Sequence, residues 1–259
     1  MWKVTCGPPH RSSRCGGLYR EGGGTCTVGF TTTHRTTRVL RRSLFATAAA
    51  AGIGRLVGIA GRPRPAHAQS ALAPEAALRA LFQGNQRFAA GQPSMYRDDV
   101  AELRAKTAEK QEPFAAVLSC ADSRVPTEDI FDQSIGHIFV CRIAGNIATR
   151  EIIASLEYGV AVLGCRALLV LGHGACGAVS AAMKNKNAPG QIPTLYPLIQ
   201  PAIAHAGHDL EDAVKANAEY QARFLSSESP VIGAAVQAKK LLVAAAYYDL
   251  ASGRVTRLS

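Results

Sequence analysis

"RALLVLGHGACGAV", residues 166–179, sets five successive apolar residues, Ala167 to Leu171, against a glycine-padded turn. An apolar run this short, with no polar face and closed by glycine, reads as a strand buried on both sides. Small residues follow in "ACGAVSAAMKNK" (175–186) and open a helix. The strand–turn–helix recurs upstream. "FAAVLS" (114–119) and "HIFVCR" (137–142) are further buried strands, while "REIIASLEYGVAVLG" (150–164) places apolar residues at 152, 153, 156, 160 and 163 and closes at Gly164. "PEAALRALFQGNQRFAAG" (74–91) carries Leu78, Leu81, Phe82 and Phe88 near helical spacing, with Pro74 acceptable in a first turn. More helices are expected near 195–206, 209–225 and 230–241, before a strand, a Gly-containing turn and a last strand in "LLVAAAYYDLASGRVTRLS". The expected fold is α/β: a mostly parallel central sheet with helices on both faces and an N-terminal helical arm, in one domain over 69–259. Such sheets place their sites at the carboxyl ends of the strands.

The net charge of +10 is unevenly spread. Residues 1–68 carry 11 Lys or Arg and the single acid Glu21, whereas residues 69–259 carry 18 of each sign. A neutral body offers no electrostatic reason to bind nucleic acid. The basic segment reads as a leader. Its first 38 residues are rich in Gly, Thr and Arg without periodicity and are expected to be disordered, with translation starting near Val39 as one reading. "RVLRRSLFATAAAAGIGRLVGIAG" (38–61) then joins Arg41 and Arg42 to a weakly apolar stretch, and Ala66, His67 and Ala68 offer an A-x-A cleavage pattern. The pair resembles a twin-arginine signal, which implies export of the folded protein to the periplasm. The apolar run is shorter than the ~20 residues of a span and Arg55 interrupts it, so no stable membrane insertion is expected after processing.

Of seven cysteines, only Cys120, Cys141, Cys165 and Cys176 lie beyond the leader, too few for a disulfide framework. Cys120 opens C-x-D-x-R with Asp122 and Arg124 just past one strand. His173 and Cys176 form H-x-x-C just past another, padded by Gly172, Gly174 and Gly177. Two thiolates and an imidazole suit Zn²⁺, and three protein ligands leave the fourth position open, as in a catalytic rather than a closed structural site. Cys141 and Cys165 read as small buried hydrophobes. "GHGACGA" also has the outline of a nucleophile elbow, with Cys176 as a metal-free attacking thiol. A P-loop is excluded, because no Gly-Lys-Ser/Thr is present.

"SCADSRVPTE", "HIFVCRIAGN", "SLEYGVAVLG", "LGHGACGAV" and "YYDLASGRV" together resemble the β-class carbonic anhydrases, in order and from about residue 74 to the C-terminus. Departures are Ile143, where the family usually has Asn, and Ala144, in place of a bulkier pocket residue. The resemblance implies one Zn²⁺ per chain on Cys120, His173 and Cys176, and reversible hydration of CO₂ to bicarbonate by zinc-bound hydroxide. It makes Asp122 the acceptor that orients that hydroxide and Arg124 the partner that keeps Asp122 ionised. It further implies substrate contacts from Gln111, Phe139, Tyr158 and Gly177, and a homodimer or homotetramer. Arg142 matches an arginine of a bicarbonate-regulated subgroup, but that subgroup's tryptophan has no counterpart, since the only one is Trp2; an open, plant-like subtype is expected. Same-fold hydrolysis of CS₂ or COS and a non-catalytic zinc-binding role are the alternatives.

Overall fold

A computed structural model describes residues 71–204 and 206–259. The leader, the twin arginines, the cleavage pattern and His205 lie outside the described residues. Among the described residues five strands run β1 Ala115–Ser119, β2 Ile138–Arg142, β3 Ala167–His173, β4 Leu242–Tyr248 and β5 Val255–Arg257. The helices are α1 Pro74–Ala89, α2 Val100–Thr107, α3 Thr127–Ile130, α4 Arg150–Ala161, α5 Gly177–Met183, α6 Tyr196–Ile203, α7 Leu210–Glu228 and α8 Pro230–Gln237.

The strand order is β2-β1-β3-β4-β5, parallel through β4 and antiparallel at β5. Alternation along each strand sorts its side chains between two apolar layers. Ala115 and Val117 of β1, Leu169 and Leu171 of β3, and Ala244 and Ala246 of β4 meet Leu78 and Leu81 of α1 and Ile130 of α3. Ala116, Leu118, Leu168, Val170 and Ala245 face Leu156 of α4, Ala218, Ala222 and Leu225 of α7, and Ile232 of α8. Helices thus cover both faces, as the unbroken apolar strands require.

The N-terminal helix is part of this cover. A Cβ on Gly84 would lie 1.7 Å from the Phe131 carbonyl oxygen, so only glycine lets α1 come this close to the end of α3. Asp132, with a fully buried carboxylate, accepts from the Ser94 amide and hydroxyl and the Met95 amide at 2.7 Å each, and from Arg87 of α1. These bonds tie α1 and the segment after it to the sheet.

The connection from β1 passes first to β2 on one side, and the chain then crosses back to β3 on the other. The crevice at a reversal of this kind, beyond the carboxyl ends of the strands, is where ligands bind in open α/β sheets. Here it opens between β1 and β3. Ser119 stands opposite Leu171, which brings Cys120 and His173 out together at its mouth.

Candidate metal centre

Three elements deliver three donors. Cys120 follows β1, His173 ends β3, and Cys176 is the N-cap of α5. The turn between the last two puts Ala175 at φ +52, a left-handed backbone that swings the chain back so that His173 and Cys176 face one point. The two Sγ atoms and a ring nitrogen of His173 all lie within 4.8 Å of one another, and all three residues are buried.

His173 is fully buried, with Nδ1 2.9 Å from the Gly174 carbonyl oxygen. A carbonyl only accepts, so Nδ1 carries the proton and Nε2 presents a lone pair. That Nε2 has no hydrogen-bond partner among the described residues. An orphaned imidazole lone pair beside two thiols is costly unless a cation takes it up. The thiols point the same way. Hydrogen bonding, chiefly from Cys176, holds Cys120 far below an ordinary thiol despite its burial, and the Gly145 amide 3.3 Å away donates to its sulfur. The same contact with Cys120, reinforced by burial, drives Cys176 up. Two sulfurs pressed together share one proton; a dication between them displaces it. The donor set, one neutral imidazole with its other nitrogen tied to a carbonyl and two thiolates, fits Zn²⁺.

Asp122 stands beside this cluster, its Oδ2 4.0 Å from His173 Nε2. Arg124 grips it in a fork: Nε donates to Oδ1 at 2.9 Å, Nη2 to Oδ2 at 2.7 Å, and the Arg124 amide to Oδ1 at 2.9 Å. Those bonds from Arg124 outweigh partial burial and hold the carboxyl well below the usual carboxylate range. Oδ2 accepts one bond from Arg124 and keeps a second lone pair. Arg124 also reaches the Ala175 carbonyl at 3.4 Å, linking the two motifs.

Over residues 115–255 the chain matches the family model described as "Carbonic anhydrase". The chain belongs to the β-class carbonic anhydrase family. Carbonic anhydrase 2 of Mycobacterium tuberculosis is 46% identical over 123 residues, which is 48% of this chain and 58% of that relative's length. The match therefore spans little more than half of that protein. The carbonic anhydrase of Mycolicibacterium smegmatis is 36% identical over 191 residues, covering 70% of this chain and 92% of the relative. Among solved structures, the Coccomyxa β-carbonic anhydrase superposes with a TM-score of 0.53 at 27% identity, over 70% of this chain and 86% of that one.

Not every residue that the resemblance to the carbonic anhydrases singled out reaches the cluster. Gly177 does, next to Cys176, with open space where a Cβ would project. Gln111 does not. It is exposed and precedes β1, whereas Cys120 follows that strand's other end, about 15 Å along its length. Phe139 and Tyr158 pack on each other instead, with ring centroids 6.3 Å apart, and Phe139 stands opposite Ala116, four residues short of Cys120. The resemblance transfers residue identity, but the strand separates these three from the metal donors of their own chain.

Arg142 has a task that the sequence did not foreshadow. Its Nε donates to the Cys120 carbonyl at 2.9 Å and its Nη2 to the Asp122 carbonyl at 2.6 Å, so it braces the loop that carries both residues. The Gly145 amide on Cys120 was not foreseen either. Its signal was the Gly145-Asn146 dipeptide, two residue types that tolerate left-handed backbone, at φ +78 and +44.

Proposed function

We propose that this protein is a zinc lyase that interconverts CO₂ and bicarbonate. The observation that carries this reading is the buried, unpartnered Nε2 of His173 facing two cysteine sulfurs, with an arginine-held carboxylate beside it. Cys120, His173 and Cys176 would hold one Zn²⁺, which supplies Lewis-acid activation of water for attack on CO₂. The remaining work falls to the chain. Asp122 stays ionised under Arg124 and offers the free lone pair of Oδ2 to the O–H of the attacking oxygen. That hydrogen bond points the O–H at Oδ2, with the proton left on the attacking oxygen, and turns the oxygen's own lone pair towards the carbon. Arg142 and the Ala175–Arg124 contact keep the two loops in register, so this acceptor does not drift. Gly177, with no side chain, leaves room beside Cys176 for substrate.

Cys176 as a metal-free nucleophile is disfavoured. It is 1% exposed, and an attacking thiol needs an approach. Gln111, exposed, and Phe139 and Tyr158, packed together with Tyr158 at the surface, stand where a second copy of the chain could meet them. In the proposed dimer or tetramer they would complete the pocket of the partner. No helix among the described residues is long and apolar enough to cross a membrane. We read the leader as an export signal; replacing Arg41 and Arg42 by Lys should strand the precursor in the cytoplasm.

The deciding experiment pairs metal analysis of the purified chain with stopped-flow CO₂ hydration, and COS and CS₂ hydrolysis run in parallel. One zinc per chain and fast hydration are expected. Zinc without hydration, or hydrolysis of COS or CS₂ alone, would set the lyase reading aside.

A further inference from the structure

We propose that Asn217 and Gln221 of α7 are positioning residues for the metal centre. They clamp loop 143–148 so that the Gly145 amide is held on the Cys120 sulfur. The inference rests on the zinc site described above, and neither residue belongs to the ligand set or the Asp122–Arg124 pair.

The two side chains lie one turn apart on the same face of α7, a face otherwise made of Ala213, Val214, Ala218, Ala222 and Leu225. Both are buried, Asn217 fully. Amides in such a setting must be paired, and here their partners lie on the loop and on α6. Asn217 Nδ2 donates to the Gly145 carbonyl at 2.9 Å. Gln221 Oε1 accepts from the Ala148 amide at 2.9 Å, while its Nε2 donates to the Leu198 carbonyl at 2.9 Å and to Asn217 Oδ1 at 3.3 Å. The loop is therefore gripped at two points by one connected network. Between them the backbone is unusual, with Gly145 and Asn146 both left-handed. A non-glycine residue keeps such a conformation when its surroundings dictate it. Packing closes the remaining side, since a Cβ on Gly145 would lie 3.0 Å from Ile199 Cδ1.

The product of this arrangement is a single contact, Gly145 N–H to Cys120 Sγ at 3.3 Å. A hydrogen bond to a thiolate withdraws charge from the sulfur, and such outer contacts tune both the affinity and the electronics of the metal they surround. Through Gly145, two buried amides on a helix set how strongly Cys120 donates.

The test uses the full chain loaded with Co²⁺, whose sulfur-to-metal charge-transfer band reports thiolate donation, together with Zn²⁺ affinity from chelator competition. Asn217→Leu keeps the branched heavy-atom outline and removes both bonds. The band should move to longer wavelength and Zn²⁺ affinity should fall roughly 10- to 100-fold. Gln221→Met should shift the band the same way by less, and it decides the matter if Asn217→Leu does not fold. Ser229→Ala serves as a comparison, because this buried residue at the far end of α7 caps α8 and donates to Glu157 near the other end of α4, and neither bond touches loop 143–148. It should lower the melting temperature without moving the band. A wild-type band that stays put in the folded α7 variants overturns the clamp alone, as does an equal shift in Ser229→Ala. Absence of the band in the wild type overturns the thiolate metal centre, and the clamp with it.

Discussion

All four cysteines among the described residues are buried and free, yet they occupy two chemically opposite regions. Cys141 and Cys165 sit in the apolar layer beneath α4 and α8. There, burial alone pushes the Cys141 thiol up to about 11 and, as the dominant cause, the Cys165 thiol up to about 12. The Cys165 thiol donates to the Pro113 carbonyl at 3.7 Å, an acceptor that favours the protonated form. Cys120 and Cys176 are no less buried, but they stand at the crevice between β1 and β3 with a backbone donor, a histidine lone pair and each other. Burial thus does not decide whether a cysteine is inert or a ligand. The convergence of donors decides it: Cys120 and Cys176 face each other and a ring nitrogen of His173, and Cys141 and Cys165 face apolar side chains.

The hardest blow to this contrast would come from the ligand pair. Cys176→Ser should reduce zinc from one per chain to none, abolish CO₂ hydration and lower the melting temperature, because metal binding and ordering are coupled. A folded, zinc-loaded and active Cys176→Ser protein would mean that the two regions do not differ as described. Next in size is Asp122→Asn. It keeps the shape beside the cluster but cannot hold the arginine fork as an anion, and it should lower kcat roughly 10²- to 10³-fold with zinc retained. Metal content measured on the same sample separates this loss from loss of the ion.

A smaller effect distinguishes the regions by pH. An ordinary thiol titrates at about 8.5, and both inert cysteines are raised in the folded state. The unfolded chain then releases their protons first, so their contribution is complete below pH ~8.5 and is lost as pH rises towards the folded values of about 11 and about 12. Urea unfolding at pH 7.5 and 9.5 should show this decline, and Cys165→Ala should flatten it. The smallest change is expected from Cys141→Ala and Cys165→Ala near neutral pH. Each should keep full zinc and hydration within about twofold, at a cost of ~1 kcal/mol from the lost packing. Zinc loss in either would place a ligand role where the apolar layer leaves none.

The strands and the metal donors were legible because their signals are local. β1, β2 and β3 are short apolar runs ending at punctuating residues, and two of them end on metal-ligand residue types. α2 was missed for the converse reason. It has no buried residue, so no apolar period marks it; its start lay in Asp99, whose carboxylate caps the Ala101 and Glu102 amides at 2.8 and 3.2 Å. Asn217 and Gln221 were visible in principle as polar residues on an apolar helical face, but their partners lie more than 70 residues away in the chain.

The order of hydrophobic and polar residues by itself determined a parallel sheet covered on both faces, and it placed thiol, imidazole, acid and arginine just beyond the strand ends. Both follow from periodicity and side-chain chemistry, which are properties of neighbouring residues. Only the tertiary structure decided which sulfurs meet, that His173 turns a bare nitrogen towards them, that Arg142 braces their loop, and that Gln111, Phe139 and Tyr158 lie away from the donors of their own chain. Those outcomes depend on strand order, register and the path of loops, and these emerge only when segments distant in sequence pack against one another.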